Sequence, residues 1–291
     1  MRHRLAPLLA LLLIAACGSG SAQPALQDGV VHVVAAESTW GDIARQIGAP
    51  HVRVTSVLED PGTDPHTFET DPKTAALVSN AGFVITNGLG YDAFADKLLA
   101  AGGGASRRVL TIAKAVDASG NPHLWYSPSY VDKGARAIAA ELSRIDPADA
   151  SSFATGLAAF LSGYQQYVDL VDQIKLAHAG EKVAYTEAVP GYLVEAAGLS
   201  LGTPESFARA VENGNDPSPA DVDAFRTALQ SGQVRALLYN DQVTSPLTEQ
   251  VKGLAEKARV PVVAMSELPP AGMSFLQWQK SQTAALLAAL G

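Results

Sequence analysis

The chain has 291 residues, of which 47% are hydrophobic and 17% are charged, so it is too apolar to be disordered and long enough for two domains. Its formal net charge is -8 at pH 7, and the sequence pI is about 5.2. Nucleic-acid binding requires a clustered basic face, so this charge argues against DNA or RNA as a partner. An acidic surface instead attracts cations.

The first residues have the pattern of an export signal. A short basic start precedes an apolar run from Leu5 to Ala16, and the small residues of "IAAC" lead to Cys17, the only cysteine. Because the run is too short to cross a bilayer of about 30 Å as a helix, it predicts a cleaved signal. "IAAC" resembles the bacterial lipobox, in which the cysteine carries the lipid anchor; an ordinary signal peptide is the alternative. We therefore expect a lipoprotein signal over residues 1–17 and a flexible tether, "GSGSAQPALQDG", over residues 18–29.

Beyond the tether, short β-rich runs alternate with helical stretches. The predicted strands are "VVHVVAA" from Val30, "VRVTSVL" from Val52, "FVIT" from Phe83, "RVLTIA" from Arg108, "KVAYT" from Lys182, "VRALLY" from Val234 and "VPVVAM" from Val260. Alternation at this spacing implies βαβ units on a parallel sheet. Since the rhythm restarts after Gly180, we predict two α/β lobes, residues 30–146 and 180–291, each a mostly parallel sheet flanked by helices.

The segment between the lobes, residues 147–179, contains no strand signal. Its apolar residues between Phe153 and Leu176 recur at intervals of three and four, which is the period of a helix. A helix of about 30 residues is about 45 Å long, enough to run along a whole domain. We predict a single long connecting helix; the alternative is two shorter helices with a kink near Gly163.

Three candidate metal ligands follow predicted strands. His66, in "TDPHTFETD", comes after "VRVTSVL", His123, in "NPHLWYSP", comes after "RVLTIA", and Glu187 directly follows "KVAYT". Ligands of open parallel sheets bind beyond the carboxyl ends of the strands, and facing lobes would bring these side chains into one cleft. Each residue taken alone is also compatible with a solvated surface group. Two imidazoles and a carboxylate together give a mixed nitrogen and oxygen set suited to Mn²⁺, Fe²⁺ or Zn²⁺.

A family resemblance extends along essentially the whole chain. "DPHTFETDP", "NPHLWYSP", "YTEAVPGYLVEAAGL" and "LLYNDQ", in this order around a long helix, resemble the metal-binding receptor lipoproteins of bacterial zinc and manganese ABC importers. The resemblance implies that His66 and His123 bind the metal, with Glu187 as a third ligand of the type found in manganese receptors. It also implies a fourth ligand, usually an aspartate, after the strand "VRALLY". That position falls near Thr244, so we expect the nearest carboxylate, Asp241, to serve, unless it is only a turn residue.

The same resemblance implies a function. We expect a monomeric, extracytoplasmic solute-binding protein, held by Cys17 at the outer face of the plasma membrane or periplasmic. It would capture Mn²⁺ or Zn²⁺, with Fe²⁺ as a further candidate, and deliver the ion to an ABC permease and its ATPase. Many zinc receptors carry a histidine-rich loop between the first two ligands, but this chain has no histidine between His66 and His123.

Other functions would use the same residues. A metal chaperone or an adhesin would need no change in the site. A metal-dependent hydrolase could hold its ion with two histidines and a glutamate. The sequence has no HExxH or GxSxG motif, so we expect the protein not to be an enzyme.

Overall fold

The computed structural model describes residues 28–63, 68–102 and 107–291. Cys17 and His66 lie outside these residues, so the predictions about them are not tested by the structure. Within the described ranges the strands are β1 (Val31–Glu37), β2 (Val52–Leu58), β3 (Phe83–Thr86), β4 (Arg108–Thr111), β5 (Lys182–Tyr185), β6 (Ser200–Leu201), β7 (Val234–Tyr239) and β8 (Val262–Ala264). The α-helices are α1 (Ser38–Gly48), α2 (Pro72–Asn80), α3 (Ala93–Ala101), α4 (Ile112–Ala115), α5 (Pro128–Ile145), α6 (Ala150–His178), α7 (Gly191–Ala196), α8 (Glu205–Glu212), α9 (Pro219–Gln230), α10 (Pro246–Lys257) and α11 (Phe275–Leu290).

The strands form two four-stranded sheets, one in each lobe. The first has the order β2-β1-β3-β4 and the second the order β6-β5-β7-β8. Every neighbouring pair is parallel, so the carboxyl ends of all strands in a sheet meet at one edge. All four residues of β3 are buried, as expected for a strand with helices on both faces. The predicted fold class is therefore confirmed.

Several helices begin with the same capping device. The residue before the helix accepts a hydrogen bond from a backbone N–H inside the first turn, and a proline stands at the first helical position, where its missing N–H costs nothing. This arrangement starts the helices α2 (Asp71), α5 (Ser127), α9 (Ser218) and α10 (Ser245). Such caps fix where the loops after the strands end, and these loops carry the candidate site.

The long connecting helix is present as predicted. A 3₁₀ turn at Pro147–Asp149 leads into α6, which continues for 29 residues without interruption at Gly163. One face of α6 packs against α1 and α5 of the first lobe and against α11 of the second. At Gly156 the helix lies so close to α1 that an added Cβ would collide with the carbonyl oxygen of Ile47.

The two lobes share one buried core. A single cluster of buried residues contains Val33 and Phe83 of the first sheet, Val183 and Leu238 of the second, and Phe160 of α6. A hydrogen bond from the backbone N–H of Phe275 to Asp42 Oδ2, 2.7 Å long, also joins α11 to α1. None of the helices in the described part of the chain is long and apolar enough to span a membrane.

Candidate metal site

His123 lies at the junction of the lobes and is fully buried. It follows β4 and α4, in the short loop that ends at α5. The Asn121 side chain fixes its ring, because Asn121 Oδ1 accepts from the His123 backbone N–H at 2.9 Å and lies 2.7 Å from Nδ1. Asn121 Nδ2 donates to the carbonyl oxygen of Ala188, so Oδ1 is the acceptor and His123 Nδ1 carries a hydrogen. With a hydrogen on Nδ1, the neutral form of the ring would present the lone pair of Nε2, as a metal ligand must.

Glu267 faces His123 from the other lobe. It follows β8, is fully buried, and places Oε2 3.4 Å from His123 Nε2. The hydroxyl of Tyr91 donates to the same oxygen at 2.9 Å. Burial and the charge of Glu267 raise the pKa of Tyr91 well above its ordinary value, so the hydroxyl keeps its proton and remains a donor.

Glu187 joins this cluster through Asn240. Glu187 follows β5, has 1% of its surface exposed, and accepts at Oε2 from Asn240 Nδ2 at 2.5 Å. The same Nδ2 donates to Glu267 Oε1 at 2.9 Å. The structure thus brings together two of the predicted ligands, His123 and Glu187, with a second carboxylate, that of Glu267, which was not predicted.

The structure does not place Asp241 in this cluster. Asp241 is exposed, and among the described residues no hydrogen bond or ion pair joins its carboxylate to His123, Glu187 or Glu267. The expected position Thr244 is exposed as well. The reason is geometric. Asn240 is buried but Asp241, the next residue, is exposed, so its side chain points away from the cluster. The carboxylate at this edge of the sheet comes instead from Glu267, in the loop after the neighbouring strand β8.

His66 lies outside the described residues, but its flanks are described. Leu58, at the end of β2, and Phe68 pack in one apolar cluster with Phe94 and with Leu268, the neighbour of Glu267. On the other side of the cluster, the Asn240 amide lies between Glu187 and Glu267 and donates to both. Within residues 28–63, 68–102 and 107–291, no three histidine, cysteine, aspartate or glutamate side chains form a group that could hold a metal ion by themselves.

A second pair of buried acids lies near the site. Glu37 ends β1 and interacts electrostatically with Asp92, and both side chains are fully buried. Asp92 also accepts from the backbone N–H groups of Asn87 and Gly88 at 2.6 and 2.9 Å. Burial first, and then the charge of Asp92, raise the pKa of Glu37 well above its ordinary value. Burial also raises the pKa of Asp92, so both carboxyl groups favour the protonated form more than they would in water.

The donor set decides which ions the site suits. One imidazole nitrogen and two carboxylates, without sulfur, suit zinc, manganese or ferrous iron and do not select copper. The negative charge of buried carboxylates attracts a dication more strongly there than it would in water. Because no three such side chains of the described residues could hold an ion by themselves, capture of a divalent ion at the lobe junction would require at least one further donor.

Comparison with solved structures shows the same fold. The periplasmic zinc binding protein TroA from Treponema pallidum matches with a TM-score of 0.77 at 16% identity, over 90% of this chain and 100% of that one. The Cd-bound periplasmic metal binding protein from candidatus Liberibacter asiaticus matches with a TM-score of 0.74 at 17% identity, with the same coverage.

Sequence relatives and a family profile agree with this fold. The manganese-binding lipoprotein MntA of Bacillus subtilis (strain 168) is 24% identical over 267 residues, covering 87% of this chain and 84% of the relative. The manganese ABC transporter substrate-binding lipoprotein scaA of Streptococcus gordonii is 22% identical over 275 residues, covering 88% and 86%. The profile described as "ZnuA: Zinc-uptake complex component A periplasmic" matches residues 33–289. The chain therefore belongs to the ZnuA family of metal-uptake components.

Proposed function

We propose that this protein is the extracytoplasmic receptor of an ABC importer, which captures Mn²⁺ or Zn²⁺ between its lobes and delivers it to a membrane permease and its ATPase. The observation that carries the proposal is the buried cluster at the lobe junction: His123 of the first lobe meets Glu267 of the second, and Asn240 links Glu267 to Glu187. Family membership and the metal-binding relatives support the same function.

The proposed ligands are His66, His123, Glu187 and Glu267, with Glu267 in the place expected for Asp241. His66 is separated by two peptide units from Phe68, and this limits the distance between the two Cα atoms to about 7 Å. Phe68 packs against the same apolar cluster as Leu268, the neighbour of Glu267, and this supports the choice of His66. Ferrous iron fits the same mixture of nitrogen and oxygen donors.

A matched pair of substitutions tests the fourth ligand. Glu267→Gln and Asp241→Asn each remove one negative charge without changing the size of the side chain. Because even residues that only orient metal ligands typically contribute about 10–100-fold to affinity, Glu267→Gln should weaken manganese and zinc binding by at least that factor. Asp241→Asn should bind as the wild type does. Both affinities are measured by competition with a chelating dye at fixed pH, and the reverse pattern would restore Asp241 as the ligand.

Metal uptake by cells distinguishes an import receptor from a chaperone or an adhesin. A strain lacking the receptor should accumulate radioactive manganese or zinc slowly, and the wild-type gene should restore uptake. The His123→Ala gene should not restore it, because this variant loses a nitrogen donor. Restoration by His123→Ala would contradict the proposed role.

We also propose that the mature protein is a monomer anchored through lipid on Cys17 at the outer face of the plasma membrane. Two or more acyl chains hold a protein stably at a membrane, whereas one binds only marginally. Cys17→Ser should therefore release the protein into the soluble extracytoplasmic fraction. Membrane association equal to that of the wild type would exclude this anchor.

A further inference from the structure

The Asn121 side chain joins the loops that carry His123 and Glu187. Its Oδ1 accepts from the His123 backbone N–H at 2.9 Å and lies 2.7 Å from His123 Nδ1. Its Nδ2 donates at 2.7 Å to the carbonyl oxygen of Ala188, the residue after Glu187. Asn121 belongs to the first lobe and Ala188 to the second, so a single amide forms hydrogen bonds on both sides of the lobe junction.

The start of α7, in the second lobe, holds this amide in place. An added Cβ at Gly191, the first residue of α7, would lie 2.8 Å from Asn121 Nδ2, too close for either atom to stay where it is. Glycine therefore leaves the space that the amide occupies. The next residue, Tyr192, donates its hydroxyl to the carbonyl oxygen of Asn121 at 2.9 Å, so the second lobe also contacts the Asn121 backbone.

The contact with Asn121 decides which nitrogen of His123 carries the hydrogen of the neutral ring. His123 Nε2 lies 3.4 Å from Glu267 Oε2, which is itself a hydrogen-bond acceptor. Without an acceptor at Nδ1, the ring can carry its hydrogen on Nε2 and direct it at Glu267, and no lone pair then remains there for a metal. Asn121 Oδ1 keeps the hydrogen on Nδ1 and fixes the plane of the ring.

We propose that the second lobe positions the first-lobe ligand His123 through Asn121, so that the imidazole is aligned for a metal only while the start of α7 holds the Asn121 amide. This inference rests on the proposed metal site. Asn121 contacts the ligand and not the metal, so it is a positioning residue, and Gly191 acts by leaving room for it. Metal affinity thus depends on the contact between the lobes as well as on the ligands.

Substitutions at residues that do not bind the metal test the inference. Asn121→Ala removes the bridge and should weaken zinc and manganese binding about 10–100-fold, the range for residues that orient metal ligands. Gly191→Ala keeps Asn121 but displaces its amide, and should weaken both about tenfold, the lower end of that range. Gly253→Ala is the matched control, because in the described part of the chain an added Cβ there would meet nothing outside its own helix, α10. Its affinities, measured by competition with a chelating dye, should equal those of the wild type.

The double variant separates an effect through Asn121 from a general effect on α7. Where residue 121 is already alanine, Gly191→Ala has no amide to displace and should cause no further loss of affinity. An equal loss in both backgrounds would overturn the inference. Wild-type affinity in Gly191→Ala would overturn it as well, since this variant adds only one methyl group and displaces only the end of a side chain.

Nuclear magnetic resonance of ¹⁵N-histidine-labelled protein in excess zinc gives a readout that a merely structural role would not change. In the wild type the Nδ1–H of His123 should exchange slowly with water, because it is buried and donated to Asn121. It should exchange faster in Asn121→Ala and Gly191→Ala, and at the wild-type rate in Gly253→Ala. Weaker binding without a change in this signal would contradict the inference. Wild-type protein that binds neither zinc nor manganese would instead refute the proposed function, so the two failures are distinguishable.

Discussion

The buried acid Glu37 should make the stability of the protein fall as pH rises. Its pKa is raised well above 4.5, the ordinary value, by burial and by Asp92. The folded protein therefore keeps a proton that the unfolded chain releases near pH 4.5. By linkage, the free energy of unfolding falls by up to about 1.4 kcal/mol per pH unit above that pH, until the pH reaches the raised pKa. Burial raises the pKa of Asp92 too, and this adds to the same trend.

Glu37→Gln should remove the contribution of Glu37. The amide has nearly the same shape and cannot ionise. From pH 5 to pH 7 the unfolding free energy of the variant should rise relative to the wild type by up to about 2.7 kcal/mol, which is two pH units at the limiting slope. Urea denaturation of metal-free protein at several pH values measures this difference, with exposed Glu256→Gln as the control. A difference that stays constant with pH would show that folded Glu37 does not hold the extra proton.

Two further substitutions test the site and the lobe junction. Glu187→His should raise the ratio of the manganese to the zinc dissociation constant. The substitution replaces a hard, charged oxygen with a nitrogen donor suited to tetrahedral zinc. An unchanged ratio would remove Glu187 from the ligand set. Tyr126→Phe should cost about 1–3 kcal/mol of unfolding free energy, because the buried hydroxyl of Tyr126 hydrogen-bonds the carbonyl of Ser266 at 2.7 Å and Gln282 Oε1 at 3.0 Å. Urea denaturation of that variant should show a lower midpoint with an unchanged slope, and an unchanged midpoint would mean that water replaces both bonds.

Hydrophobic periodicity predicted most of the fold because the strands and helices are long enough to repeat their pattern. The seven predicted strands and the long helix all occur in the described structure. The strand β6 was missed, since Ser200–Leu201 has only two residues and a pattern of two cannot be recognised. The predicted strand "RVLTIA" was too long: β4 ends at Thr111, and the following Ile112 and Ala113 belong to α4. Periodicity alone does not separate a short strand from a short helix.

The candidate site was predicted less completely. His123 and Glu187 were found because each follows a predicted strand, and the structure places both in the buried cluster. Glu267 also follows a predicted strand, "VPVVAM", so the same position after a strand indicates it as a candidate. The family resemblance instead directed the prediction of a fourth ligand to the loop after "VRALLY", where Asp241 is the nearest carboxylate. The hydrogen bonds from Asn240 to Glu187 and Glu267 could not be predicted from the sequence, because the two carboxylates are distant along the chain and meet only in the folded protein.

The position of α11 has a consequence for how an exported chain reaches its final fold. Phe275, Trp278 and Leu286 of this C-terminal helix are buried in the core shared by both lobes, and Asp42 of α1 accepts the N–H of Phe275. The first lobe is therefore incomplete until the last segment of the chain has arrived. A protein that is threaded through a secretion channel from its N-terminus should stay open, with its apolar core accessible to chaperones, until α11 has emerged on the far side.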